Sequence, residues 1–423
     1  MITELLKLNT KLSTFFSKIL IWRYKIKIIT VAGSVGKTST KYVLGSLLNQ
    51  KVPTIYQKGS YNQPFSIPFA LFGLKYPDNP KNLFSWFWAY VRMLSLIIFG
   101  YKYRAAVLEV GADRPKDIIQ TTSWLKSDVA ILTAVTEEHM ENFNNLDEVA
   151  EEEFQIFKNA KLKFASSDSI SKQFIKKYGP EDLHLYGFSN KDASISKNDE
   201  LTIKLNNKQQ ISFEALLPGN YLNQSFIVAL KIAYQEFGLS KKDLTKAIGK
   251  VDLPPGRMRR FRGIHDSWII DDTYNASPEA YKQALSLIYS LKSKRRVLVL
   301  GNMNEFGDHS KQAHQQIADY IKLNDKDIAV TIGPDANKYL FPQLKKQGVK
   351  NLFKFNDPWS VGEFLKKNIR DGDVIFLKGS QNGVFLEEAV KFILNNKEDV
   401  NLLARQSDHW MNIKLKFKES STR

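Results

Sequence analysis

Apolar residues along this chain gather in short, β-branched runs that end in glycine or polar residues, and most are followed by a stretch at helical spacing. The first run, "IKIITVAG", leads into "KTSTKYVLGSLLNQ". The same rhythm returns in "RAAVLEVGA" (104–112), "SDVAILTAV" (127–135), "RRVLVLGNM" (295–303), "DIAVTIGP" (327–334) and "GDVIFLKGS" (372–380). Continuous apolar strands alternating with helices predict a parallel sheet covered on both faces, with ligands at the carboxyl ends of the strands. The stretch "LPPGRMRRFRG" (253–263) interrupts the rhythm with proline, glycine and arginine before a new strand, "SWIIDDTY", and predicts a domain boundary near residue 255.

Two other segments follow a different pattern. In the first 24 residues Leu5, Leu8, Leu12, Phe15 and Ile19 recur at helical spacing, with Lys7, Lys11 and Lys18 between them, which predicts a basic amphipathic helix able to dock on the core or on lipid. "LFSWFWAYVRMLSLIIFG" (83–100) is almost long enough to cross a bilayer, but Arg92 at its centre argues against a transmembrane helix. It reads as a buried helix, an apolar insertion packed on the domain, or a patch resting on a membrane surface.

Composition narrows the setting. A chain of 423 residues, 43% hydrophobic and 25% charged, is globular and large enough for two or three domains. The absence of cysteine removes disulfides, thiolate metal sites and a cysteine nucleophile, and no cleavable signal is evident, so a cytoplasmic protein is expected. A formal charge of +17 points to an acidic partner such as a nucleotide or an anionic membrane face, although many of the lysines read as solvated surface.

The candidate chemistry begins at "GSVGKTST" (33–40). Gly33 and Gly36 let the backbone curl so that the amides of Ser34, Val35 and Ser39 face an anion. Lys37 can reach terminal phosphates, and the Thr38 hydroxyl can ligate magnesium. Val31 stands where the general phosphate-loop pattern has glycine, so the match is to a shorter Gly-x-x-Gly-Lys-Thr form. Glu109 closes the strand "AAVLEV" and His139 follows another strand in "TEEHMENF". Strand ends converging on the loop would make a mixed oxygen and nitrogen site for magnesium or manganese.

These residues resemble the Mur ligases, ATP-dependent enzymes that form amide bonds in peptidoglycan precursors, and within them the MurF branch. The resemblance is carried, in the family's order, by "GSVGKTS", "LEVGADRPKDI", "TEEHMENF", "PPGRMRRF", "IIDDTYNASP", "LGNMNEFGDHSKQAH" and "LKGSQN". It implies an α/β chain with a P-loop parallel-sheet ATPase domain followed by a second, Rossmann-like α/β domain. The expected division is an N-terminal helix (1–27), a central ATP-binding domain (28–255), a C-terminal domain (256–398) and a tail (399–423) without an assigned role.

By the same resemblance, a substrate carboxylate takes the γ-phosphate of ATP, an amine attacks the acyl phosphate, and phosphate leaves. Lys37 would stabilise the transferring group, Thr38 and Glu109 would hold one magnesium ion, and Glu109 with His139 a second. Arg257 would contact phosphate and Asp272 the ribose, with Asn275 and His314 near the nucleotide. Asn62, Asn302, Glu305 and Lys378 are the substrate-side candidates. A cleft closing over ATP would complete the site. The expected substrates are a muramyl-peptide acid and a D-alanyl-D-alanine-like amine, with no nucleic acid partner and a monomeric enzyme; a glutamate-chain or lipid-linked acid, or a non-catalytic nucleotide-binding relative, is the alternative.

Three departures from the family pattern matter. Glu153 stands where most of these ligases carry a carbamylated lysine, and would supply the same terminal carboxylate to the second metal without modification; Lys158 is the competing candidate. "LPGNYLNQS" places Tyr221, Leu222 and Ser225 where adenine contacts are usual, with Asn223 able to compensate. Only a helix precedes the first strand, where such enzymes usually carry a domain that grips the UDP-sugar, so either the substrate's UDP end would be held differently or the substrate is different.

Overall fold

A computed structural model describes residues 2–421, apart from 57–60, 78–81, 197–199, 215–219 and 381–382. Gly59 and Ser60 of the Asn62 segment, residues 217–219 of "LPGNYLNQS" and Gln381 and Asn382 of "LKGSQN" therefore lie outside the described residues, as does the Tyr221 side chain. The chain divides into two units, residues 1–136 with 142–252, and residues 253–423 with the short segment 137–141.

The first unit is built on a six-stranded parallel sheet. Its strands are β1 (Lys27–Ala32), β2 (Thr54–Ile55), β3 (Ala105–Glu109), β4 (Val129–Leu132), β5 (Leu162–Ser166) and β6 (Leu183–Tyr186), in the order β2-β3-β1-β4-β5-β6. β1, β3 and β4 are buried along almost their whole length, as expected of parallel strands covered on both faces. The helices that matter here are α1 (Ile2–Tyr24), α2 (Lys37–Leu48), α3 (Ile67–Phe72), α4 (Leu83–Phe99), α5 (Asp117–Thr122) and α6 (Leu146–Phe154). Ile28, Ala32, Leu108, Ala130 and Leu132 of the central strands share one core with Phe69, Trp86, Met93 and Phe154.

The sequence pattern did not announce a small antiparallel sheet of β7 (Ala193–Ile195), β8 (Glu200–Lys204) and β9 (Gln210–Glu214). Its strands are short and half exposed, so they lack the continuous apolar runs that mark the parallel ones.

The second unit carries a six-stranded sheet in the order β10-β11-β15-β12-β13-β14: β10 (Arg259–Arg262), β11 (Trp268–Asp272), β12 (Arg295–Gly301), β13 (Ile328–Ile332), β14 (Leu352–Phe355) and β15 (Asp373–Lys378). All pairs are parallel except the edge pair β10 and β11. The α/β class and the two successive parallel sheets match the sequence expectation. The helix Pro278–Ser290 starts where the chain leaves β11. Pro278 opens it, and the Ser277 hydroxyl accepts a bond from the Ala280 amide.

Candidate nucleotide and metal site

β1 lies in the middle of its sheet, between β3 and β4, so the loop that leaves its carboxyl end is flanked by two other strand ends. Gly33 (φ +122°) and Gly36 (φ +93°) adopt backbone conformations that side chains disfavour. At Gly33 there is also no room, because a Cβ would come within 2.4 Å of Thr133 Oγ1 and 2.7 Å of the Ala134 nitrogen. The loop is pinned to the end of β4. The Thr133 hydroxyl reaches the carbonyls of Ala32 (3.0 Å) and Val35 (2.7 Å), the Ser34 amide donates to the Ala134 carbonyl, and Ser34 Oγ accepts from the Thr136 amide. Gly36 then caps α2 without a side chain over the first-turn amides, which leaves a helix N-terminus suited to phosphate. The Lys37 ammonium curls back to within 3.4 Å of the Ser34 carbonyl, and Ser39 is buried behind the loop.

Glu109 ends β3 in register with Val31 and is buried. The Thr38 hydroxyl lies 3.1 Å from both of its carboxylate oxygens, and Lys41, 2% exposed, forms an ion pair with it at 3.0 Å. Lys41 was not singled out in the sequence, where a lysine one turn into a helix reads as solvated surface. Its place one turn beyond Thr38 on the same face of α2 was the available signal. Asn62 is seated against the stretch that follows Glu109: its carbonyl accepts from the Gly111 amide, and a Cβ at Gly111 would strike its side chain.

Glu153 is buried on α6. Its neighbour Glu152 accepts from the amides of Lys116 and Ile118, each at 2.7 Å, and so satisfies the start of α5. Among the described residues no group of three His, Asp or Glu side chains could hold a metal ion. Magnesium ordinarily takes one or two carboxylates and completes its shell with phosphate and water, so Glu109 and Thr38 beside the glycine loop fit a magnesium nucleotide.

In the second unit the carboxyl ends of β11, β15 and β12 converge. Asp272 and Lys378 face each other in register and form a buried ion pair at 2.5 Å, while Asp272 also accepts from the Met258 amide. Burial pulls the Lys378 ammonium below the usual lysine range despite Asp272. Lys378 also donates to the Asn275 carbonyl. The Arg257 guanidinium lies over the Tyr274 ring, 4.7 Å from its centre, and among the described residues its buried Nε has no hydrogen-bond partner.

His314 is fully buried. Its Nε2 accepts from the Met303 amide at 3.0 Å, and its Nδ1 donates to the Ser310 carbonyl at 2.8 Å; burial lowers its basicity. Nε2 thus holds the turn after β12 and Nδ1 the preceding turn of the helix Ser310–Tyr320, so both ring nitrogens are engaged. Asn302 also serves the turn after β12, with its Oδ1 accepting from the Ala336 amide and its carbonyl from the Ser380 amide. Glu305, at φ +70°, lies 3.0 Å from His139 Nδ1, and His139 itself has φ +52°. The sequence had offered the two for different roles; the structure makes them one pair within the second unit.

The tail that had no assigned role braces this end of the sheet. Arg405 grips Glu387 with two bonds, at 2.8 and 2.5 Å, and donates to the carbonyls of Thr273 and Tyr274. Lys414, on the last helix (Asp408–Ser421), pairs with Glu387 at 2.8 Å and Glu388 at 2.6 Å. Burial alone would raise the Glu387 carboxyl, but the two cations hold it below the ordinary range. The turn carrying Tyr274 and Asn275 is thus anchored from behind by a buried charge network.

Comparison with known proteins agrees with this layout. Residues 31–233 match the Mur ligase middle domain, and residues 256–381 match the Mur ligase glutamate ligase domain. The UDP-N-acetylmuramoyl-tripeptide--D-alanyl-D-alanine ligase of Rickettsia prowazekii is 25% identical over 388 residues, covering 87% of this chain and 78% of the relative. Among solved structures, MurF from Acinetobacter baumannii superposes with a TM-score of 0.71 at 20% identity, over 90% of this chain and 79% of that one. MurF ligase from Thermotoga maritima, in complex with ADP, gives 0.68 at 20% identity, over 93% and 84%. With the phosphate loop inside the first match and the Asp272 and Lys378 strand ends inside the second, the chain belongs to the Mur ligase family.

Proposed function

We propose that the chain is an ADP-forming ligase that joins the carboxyl end of a muramyl-peptide precursor to an amine of the D-alanyl-D-alanine type. The observation that carries the reading is the Glu109 carboxylate, held by the Thr38 hydroxyl and the Lys41 ammonium at the rim of a glycine loop shaped for phosphate. The names of the relatives supply the substrate class.

In this reading the backbone of residues 33–39 and Lys37 bind the terminal phosphates and orient them, while Thr38 and Glu109 hold magnesium, which supplies charge neutralisation when bound. A carboxylate oxygen of the acid bonds to the γ-phosphorus as the bond to ADP breaks. The amine nitrogen then bonds to the acyl carbon, phosphate departs with its new oxygen, and the nitrogen gives up a proton. Glu153 takes the part of the family's modified lysine. In the second unit Arg257 and Asp272 bind the nucleotide, with Lys378 fixing Asp272 and tied in turn to the Asn275 carbonyl beside the nucleotide. His314 and Asn302 support the turn before Glu305, and His139 acts as a pair with Glu305. Asn62 lies on the acid side. The enzyme works as a monomer on small molecules.

Phosphate release from ATP, measured with candidate acids and amines in all pairings, tests the reading. Release that needs both partners supports a ligase. Release with ATP alone, unaffected by any amine, overturns it in favour of a simple NTPase.

A further inference from the structure

α1 is apolar on two sides: Leu20 is buried in the core of the first unit with Leu6, Phe16, Ile19 and Ile21 packed against it, yet further large apolar side chains point outward. Its buried positions include Asn9, Ser13 and Ser17, whereas Leu8, Leu12, Phe15 and Trp22 are exposed, Trp22 to 78%. Most of the inward polar groups find partners: Ser13 donates to the Asn9 carbonyl, Ser17 to the Ser13 carbonyl, and the Tyr90 hydroxyl to Asn9 Oδ1 at 2.8 Å, while among the described residues the buried Asn9 Nδ2 has none. Small residues on the inner side let α1 sit close against its neighbours. The Tyr24 hydroxyl reaches the Ile97 carbonyl of α4, and the Phe16 ring packs on Tyr90. Burial of apolar surface within the unit therefore does not account for the outward leucines and aromatics of α1.

α4 repeats the pattern. It buries Trp86, Ala89, Met93 and Ile97, and exposes Leu83, Phe84, Phe87, Trp88, Leu94, Ile98 and Phe99, the last to 85%. At about 200 Å2 for a large apolar side chain, α4 alone leaves roughly 800 Å2 of such residues uncovered, against about 300–600 Å2 for the largest patch on a typical monomer.

Charge selects the occupant. At about 100° per residue, Leu8, Leu12, Phe15 and Trp22 share one line along α1, and Lys7, Lys11 and Lys18 run beside it roughly 80° away. α1 and the residues to 27 contain Lys7, Lys11, Lys18, Arg23, Lys25 and Lys27 against one acid, Glu4 in the first turn, and residues 83–104 contain Arg92, Lys102 and Arg104 and no acid. No helix among the described residues is long and apolar enough to cross a membrane. An apolar, aromatic-rich face flanked on one side only by cations suits the interface of an anionic bilayer, where rings enter the headgroup boundary and ammonium groups meet phosphate.

We propose that α1 and α4 together form a membrane-docking surface by which the first unit rests on an anionic lipid face. This is independent of the ligase reading, because none of these side chains belongs to the nucleotide site.

The test is co-sedimentation of the full chain with vesicles of phosphatidylglycerol and phosphatidylcholine, beside vesicles of phosphatidylcholine alone, at low and high salt. Binding is expected to the anionic vesicles and to weaken with salt. Phe87→Ser with Trp88→Ser should weaken it at least about tenfold, and Lys11→Ala with Lys18→Ala about fivefold per charge removed. All four positions are exposed, so the melting temperature should hold, and ATP-dependent phosphate release gives a second check on folding. Absence of binding to anionic vesicles, equal binding to both vesicle types, or unchanged binding by the aromatic variant would each overturn the proposal. Self-association that the aromatic variant abolishes, without vesicle binding, would assign the face to a second copy of the chain instead.

Discussion

Lys41→Met isolates the feature on which the proposed nucleotide site rests. Lys41 and Glu109 are 2% and 5% exposed, and their charged atoms are 3.0 Å apart. Methionine keeps the length and apolar stem of the side chain but removes the cation, so the carboxylate stays buried with the Thr38 hydroxyl and without the ammonium. Removing one partner of a buried pair costs about 3–5 kcal/mol. The retained hydroxyl favours the lower end, and about 3 kcal/mol corresponds to roughly 150-fold in an equilibrium. Native-state hydrogen exchange of the α2 amides reads this directly. Exchange should quicken by about two orders of magnitude in the variant, and magnesium with ADP should restore more protection there than in the parent, because the metal replaces the lost charge beside Glu109. Exchange within about threefold of the parent, or an equal gain from magnesium in both proteins, would refute the idea that Lys41 holds the carboxylate ready for a metal.

Other expectations follow from single contacts. Gly33→Ala places a Cβ against Thr133 and the Ala134 backbone, and should raise the dissociation constant for ATP by about tenfold or more in a fluorescent-nucleotide titration. Asp271, buried at the end of β11, is pushed up to about 6 by burial, with Thr273 bonds opposing. Its folded pKa is thus above the unfolded value, so stability is lost as pH rises from about 4 to 6, by about 3 kcal/mol at most. The difference between the parent and Asp271→Asn in denaturant unfolding should show that loss across this window, and a flat difference would contradict it. Arg405→Met leaves Glu387 with Lys414 as its remaining cation among the contacts described. It should destabilise the second unit by about 3 kcal/mol and raise KM for ATP through the Tyr274 turn. Glu153→Gln should lower kcat roughly tenfold to a hundredfold, whereas bicarbonate should leave the parent unchanged; stimulation of the parent by bicarbonate would point to a modified lysine such as Lys158.

What could be read from the chain alone followed from local rules. The strand, glycine turn and helix of residues 27–48 were legible because a strand, glycines at positive φ and a helix start leave a signature within a dozen residues. Glu109 was legible because strand ends in a parallel sheet are where polar groups converge. Lys41, Arg405 and Lys414 were not, since a cation paired in the interior has the same spelling as one in solvent and its partner lies far along the chain. His314 shows the converse: its place in a family-like motif suggested the nucleotide, yet two backbone bonds consume its ring. The apolar spacing of α1 predicted a helix but not which side faces the core, because Ser13 and Ser17 look polar until their bonds to the preceding turn are seen.

The most direct test of the central claim is to follow an isotopic oxygen from the acid. With the substrate carboxylate labelled, transfer through an acyl phosphate requires that one labelled oxygen appear in the released phosphate for each amide formed. Phosphate carrying that label, only when the acid, the amine and ATP are all present, is the predicted result. Unlabelled phosphate, or label that appears without any amide product, would contradict the account.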